Sequence, residues 1–123
     1  MPRTQTRKHR VGAEIQRLLN ELLLSDAKDP RLEGARVSDV EVSGDLGLAT
    51  VYFSLIDPEE DPAEAKEGFE RARGFLRSRV GEALQLRRVP ELRFRHDTSA
   101  EQAVELGRLI DQAQPRRPSE SSD

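Results

Sequence analysis

Apolar residues recur at helical spacing from early in the chain. Val11, Ile15, Leu18, Leu19, Leu22 and Leu23 share one face and predict a helix over residues 6–25. Asp29-Pro30 reads as a stop and a turn, because proline restricts the residue before it to extended backbone. The period then changes to two. Over 36–43, Val40 and Val42 face one way and Asp39 and Glu41 the other. Over 48–56, Ala49, Val51, Phe53 and Leu55 oppose Thr50, Tyr52 and Ser54. Two such runs joined by Ser43-Gly44-Asp45-Leu46-Gly47 predict a β-hairpin. Asp57-Pro58 ends the hairpin, and Asp61-Pro62 has the form of an N-cap followed by proline at the first helical position.

A second helix is expected to run to about Ala72. The pattern breaks at Ala72-Arg73-Gly74, since a glycine inside a helix costs about 1 kcal/mol and often marks a bend or a close approach. Leu76, Val80, Ala83 and Leu84 then predict a third helix, and 85–89 a linker. Pro90 opens a short strand with Leu92 and Phe94 inward and Arg93 and Arg95 outward. A capping box at Thr98-Ser99-Ala100-Glu101 begins a further helix to about Gln112, with Val104, Leu106, Leu109 and Ile110. The expected class is α+β, in the order α-β-β-α-α-β with a possible extra C-terminal helix. The helices cover one face of a three-stranded sheet. The opposite face is expected to carry Asp39, Glu41, Thr50, Tyr52, Ser54, Arg93 and Arg95.

Composition narrows the chemistry. The 123 residues are expected to form one domain over 1–112, with a basic N-terminal arm at 1–8 and a polar, disordered tail at 113–123. Cysteine is absent, which excludes disulfides, thiolate metal sites and thiol catalysis in this chain and fits a reducing cytoplasm. No apolar run approaches a membrane span, and no signal-peptide core follows the basic start. An arginine-rich start also suits a mitochondrial transit peptide.

The formal net charge of −3 conceals a strong segregation. Residues 71–95 hold eight arginines (71, 73, 77, 79, 87, 88, 93 and 95) against Glu82 and Glu91, whereas 57–67 hold six acids and one lysine. Local charge, not the sum, decides whether a face can meet a polyanion.

The element order, with a tight junction between two helices, resembles a type II KH-like RNA-binding domain. In KH domains a GxxG loop between helices clamps the nucleic-acid backbone. The GxxG of this chain, Gly44-Asp45-Leu46-Gly47, lies between two strands and reads as a hairpin turn. The helix junction holds Ala72-Arg73-Gly74 instead.

At this level the sequence resembles the bacterial ribosome-binding factor A family. The resemblance rests on Ala13–Leu19, Asp29-Pro30-Arg31-Leu32, Val40–Leu46, Ala49-Thr50-Val51-Tyr52, Gly74-Phe75-Leu76-Arg77, Leu86–Phe94 and His96-Asp97-Thr98-Ser99, in that order over about residues 3–110. Ala72-Arg73-Gly74 fits the family's Ala-x-Gly kink, which stands in place of GxxG. The resemblance implies a monomeric, non-enzymatic factor. It would bind the free small (30S) ribosomal subunit and assist its late maturation and the processing of 16S ribosomal RNA, above all in the cold.

The expected RNA-binding set is Arg7, Lys8 and Arg10 from the basic start, Arg71, Arg73, Gly74 and Arg77 around the junction, Arg87 and Arg88 in the linker, and Arg93 and Arg95 on the sheet. Such arginines neutralise phosphates and release counterions. The five aromatics are Tyr52 and four phenylalanines, and Phe53, Phe69, Phe75 and Phe94 fall at expected core positions. Recognition of RNA shape and backbone is therefore expected, with little base readout. His9 and His96 lack a catalytic or metal-binding partner at useful spacing, and no phosphate-binding loop is present. Neither a cofactor, a metal, a small-molecule substrate nor a membrane is expected. The competing expectation is a protein-interaction module that uses the acidic 57–67 face or the last helix and is insensitive to salt.

Overall fold

The computed structural model describes residues 6–25 and 29–113. Helix α1 spans Thr6–Ser25, followed by a 3-10 turn at Pro30–Leu32. Strands β1 (Ala35–Val42) and β2 (Leu48–Leu55) precede helix α2 (Pro62–Leu84), strand β3 (Glu91–His96) and helix α3 (Ser99–Ala113). Residues 1–5 of the expected basic arm, and 114–123 of the expected tail, lie outside the described residues. Arg7 and Lys8 belong to α1.

The sheet order is β1-β2-β3, with β1 antiparallel and β3 parallel to β2. The change of direction follows from the connections. A short loop permits only an antiparallel pair, whereas β2 and β3 are joined by the long crossover through α2. Helix α1 packs on β1, and α2 packs on β3 and the 3-10 turn. Ile15, Leu19, Leu76 and Val80 from the helices close over Val37, Val51, Phe53, Leu92 and Phe94. At the centre the Phe69 ring lies 5.0 Å from both Phe53 and Phe94, centroid to centroid.

The hairpin forms as expected. Asp45 accepts from the Gly47 amide at 2.9 Å and from the Ser43 hydroxyl at 2.8 Å, and the left-handed backbone falls on Leu46 (φ 60°). The GxxG segment is thus a hairpin turn.

Two expectations change. The predicted pair of helices is one helix, because α2 passes through Ala72-Arg73-Gly74 without interruption. Its apolar stripe explains this. Ala65, Phe69, Ala72, Leu76 and Val80 follow one another at spacings of three or four, so the phase is unbroken across Gly74 and packing outweighs the cost of one glycine. A Cβ placed on Gly74 meets no neighbour within 4 Å, and its φ is not positive. Neither a tight approach nor a left-handed backbone requires glycine there.

Helix α3 also starts differently from the expected capping box. Asp97, one residue earlier, accepts from the Ser99 amide at 2.9 Å and from the Ser99 hydroxyl at 2.6 Å. A charged carboxylate is the stronger acceptor for these donors. Asp97 also ties the elements together. Its other oxygen receives the Ser38 hydroxyl at 2.6 Å, and its amide donates to the Phe53 carbonyl at 2.7 Å.

Ser38 is the extra residue of a β-bulge in β1, where the register with β2 shifts between Val37 and Asp39. The bulge turns Ser38 and Asp39 outward in succession and keeps Val37 and Val40 both in the core. β1 is an edge strand, and α1 covers its middle. Asn20 accepts from the Val37 amide at 2.9 Å and donates to the Val37 carbonyl at 3.0 Å, while Gln16 donates to the Ser38 carbonyl at 3.2 Å.

Candidate nucleic-acid interface

Topology turns the sequence segregation of charge into a spatial one. The hairpin loop, the start of α1, the end of α2 and the start of β3 all meet at one end of the sheet. There Lys8 and His9 line a cleft with Asp39–Ser43 and Leu48. The Glu91 amide donates to the Gly47 carbonyl at 2.9 Å, and Arg88 lies close enough to Asp45 to help lower its carboxyl pKa, after the Gly47 and Ser43 hydrogen bonds. Exposed Arg7, Lys8, Arg10, Arg77, Arg87 and Arg88 belong to this end. The start of α2 occupies the opposite end, where Glu60, Asp61 and Glu64 line a cleft with Arg31 and Glu33. Asp61 caps α2 by accepting from the Ala63 amide at 3.0 Å.

The open face of the sheet carries a second gradient. Cross-strand rows run Glu41–Thr50–Arg93 and Asp39–Tyr52–Arg95, from acid on β1 to exposed arginine on β3. Tyr52 donates its hydroxyl to Glu41 at 3.2 Å. Burial and the Glu41 carboxylate push its phenol pKa upward.

The predicted arginines separate into groups. Arg77 holds the chain that enters β3, its Nη2 donating to the Val89 carbonyl at 2.8 Å and its Nε to the Pro90 carbonyl at 3.0 Å. Its guanidinium is thus a structural clamp as well as a positive charge. Arg73 pairs with Glu70, and Arg71 lies 3.9 Å from Glu67. Arg87, Arg88, Arg93 and Arg95 are exposed. Gly74 joins Arg77, Ser78, Gly81, Glu82 and Val89 around a shallow depression.

One expectation about aromatics is overturned. Phe75 is not in the core but 44% exposed, and the Arg79 guanidinium carbon lies over its ring, 5.7 Å from the centroid. Reading α2 as two helices hides this, because Phe75 is placed by whichever phase the second helix is given. On one continuous helix it falls about a quarter-turn from the buried stripe. Phe53, Phe69 and Phe94 are buried as expected.

His96 packs against Phe53 at 5.5 Å between centroids. Among the described residues no group of three His, Cys, Asp or Glu side chains is placed to hold a metal, and no helix is long and apolar enough to cross a membrane.

The family model for ribosome-binding factor A matches residues 7–110. The chain belongs to the ribosome-binding factor A family. Ribosome-binding factor A of Thioalkalivibrio sulfidiphilus is 44% identical over 113 residues, covering 92% of this chain and 88% of the relative. That of Alcanivorax borkumensis is 46% identical over 113 residues, covering 91% and 82%. Among solved structures, the Thermus thermophilus ribosome-binding factor A crystal structure superposes with a TM-score of 0.65 at 27% identity, over 72% of this chain and 94% of that one. A Thermotoga maritima solution structure, described as a putative ribosome binding factor A, gives 0.64 at 39% identity, over 73% and 86%. A Thermus thermophilus homology model fitted into a cryo-EM map of a complex between the 30S subunit and the factor gives 0.61 at 28% identity, over 75% and 97%. The α+β fold of this ribosome-binding factor A family member is KH-like, with α1 and α2 on one face of the three-stranded sheet.

Proposed function

We propose that this chain binds the free small ribosomal subunit through 16S ribosomal RNA, and assists late maturation of the subunit and processing of that RNA without catalysing a reaction. It works in the cytoplasm as a monomer with a single KH-like domain, and it matters most in the cold. The observation that carries this reading is the gathering of Lys8, Arg77, Arg87 and Arg88 at the hairpin end of the sheet, with Glu60, Asp61 and Glu64 at the other. A polyanion is attracted to the first end and repelled by the second, so charge orients the approach. Family membership and the relative fitted into a 30S complex support it.

The test is sedimentation of the purified chain with separated ribosomal subunits across a salt series. Binding to the free small subunit that weakens steeply with salt is expected. Failure to travel with that subunit at low salt would refute the proposal. Arg87→Glu combined with Arg93→Glu weakens binding while thermal stability stays unchanged.

A second reading has one observation in its favour. Val104, Leu106, Leu109 and Ile110 of α3 are all exposed, as an unoccupied protein-docking helix would have them. That reading expects binding insensitive to salt, through α3 or the acidic 57–67 face.

A further inference from the structure

The Phe75 ring is the one large aromatic surface that α2 turns away from the core. Arg71 and Arg79 stand one turn before and one turn after it, on the same stripe of the helix. Arg79 steadies the ring by a cation–π contact and lies 3.7 Å from the exposed carboxylate of Glu82. Arg71 and Glu67, 3.9 Å apart, are both well exposed, and such a pair holds an arginine only weakly. The neighbouring Gly74 leaves open space where any other residue would project a side chain. A flat apolar ring flanked by two guanidinium groups, beside a gap in the helix surface, has the chemistry of a single nucleotide: a π-face for the base, cations for the phosphates on either side, and room for the sugar.

We propose that Phe75 is a stacking platform for one unpaired base of the bound RNA, with Arg71 and Arg79 on its flanking phosphates. This rests on the proposed RNA binding and adds to it a contact with a base. The platform is tolerant of base identity, because every base has a π-face, so it selects an unpaired nucleotide and not a sequence. An apolar protein partner is the less suitable occupant, since seating it would strip water from both flanking arginines and their exposed acids, Glu67 and Glu82, without adding a charge to either pair.

The chain contains no tryptophan, so Phe75→Trp introduces a single fluorescent reporter at the site. Two measurements on the full chain decide the matter: sedimentation with small subunits, and fluorescence titration of the Phe75→Trp variant with protein-free 16S ribosomal RNA. Phe75→Leu should weaken subunit binding by about 5- to 150-fold, the range of one lost base–aromatic stack. It should leave the salt dependence unchanged, because no phosphate contact is removed. Phe75→Trp should bind like the wild type, and its emission should be quenched by the RNA. Wild-type affinity in Phe75→Leu overturns the proposal and leaves the broader RNA-binding reading standing. Weakened subunit binding without quenching by the bare RNA also overturns it, and assigns the ring to a ribosomal protein. If the wild type itself binds neither subunit nor RNA, both readings fall together.

Discussion

Alanine substituted for glycine should have opposite effects at two positions of this fold. Gly12 lies in α1 where the helix crosses β1. A Cβ there would stand 2.7 Å from the Val40 carbonyl oxygen and 3.5 Å from Val42 Cγ2. An ordinary carbon–oxygen contact is about 3.3 Å or longer, so α1 would have to retreat by about half an ångström. That retreat loosens Ile15 and Leu19, both fully buried against the sheet. Overpacking of this kind costs about 1–3 kcal/mol, against about 1 kcal/mol recovered from alanine's better helix propensity. Gly12→Ala should therefore destabilise the chain by up to about 2 kcal/mol. Gly74, in α2, is likewise inside a helix but its surroundings are open, so only the propensity gain remains, and Gly74→Ala should stabilise by up to about 1 kcal/mol. Urea unfolding followed by circular dichroism measures both, and an unchanged slope certifies that stability alone has moved. For a domain of this size each kcal/mol is about 4–8 °C in melting temperature. If Gly12→Ala raised stability as much as Gly74→Ala, α1 would not approach β1 as closely as the structure has it, and the packing argument would fail.

Other outcomes follow from single contacts. Arg77→Ala should lower stability by about 1–2 kcal/mol, because the Val89 and Pro90 carbonyls lose a charged donor; an unchanged melting temperature would release Arg77 to a purely RNA-binding role. Gln85, the C-cap of α2, has φ 52° and ψ 43°, so Gln85→Gly should raise stability by about 0.5–1 kcal/mol in thermal melts, and a decrease would contradict the left-handed cap. The Asp97 carboxyl is held below its usual pKa by the Ser38 hydroxyl, then by Ser99, and Asp29 and Asp45 are lowered chiefly by backbone amides. A depressed folded pKa gives stability that is full above the unfolded value, about 3.9, and lost as pH falls through the folded one. Melting temperature should therefore hold from neutral pH to about 5 and fall below about 4, and Asp97→Asn should flatten that fall; an acid limb unaltered by Asp97→Asn would remove Asp97 from its cause.

The parts of the fold legible in sequence were those written in a single period. α1, both hairpin strands and the alternation of β3 follow from which positions are apolar, and the Asp61-Pro62 start of α2 from the chemistry of its cap. Ala72-Arg73-Gly74 suggests a helix break because glycine propensity acts locally, whereas the continuous stripe from Ala65 to Val80 acts over the whole helix. The same local signal puts Phe75 in the core, where the continuous helix leaves it exposed. The Ser38 bulge and the Ser38–Asp97 bond could not be read, because they depend on which residues of separate strands become neighbours, 59 positions apart in sequence. For the candidate site, sequence supplied the arginines and their segregation. It did not separate Arg77, whose guanidinium holds two carbonyls, from Arg87 and Arg93, which extend from exposed positions.

The Asn20 amide at the middle of β1 also limits how this protein can misassemble. Sheets polymerise when each subunit offers two open edges, one to receive a strand and one to give it. Here one edge is occupied by a side chain that imitates the missing strand, meeting both backbone groups of Val37. The other edge, β3, alternates core residues with Arg93 and Arg95, whose like charges oppose a second copy in register. A subunit with one edge stopped can pair once and then has nothing left to extend. Edge-to-edge pairing between copies, where the arginines allow it at all, thus goes no further than a dimer. Asn20→Leu, which keeps a residue of similar size but removes both bonds to Val37 and leaves only those of Gln16, is the change that would weaken the stopper.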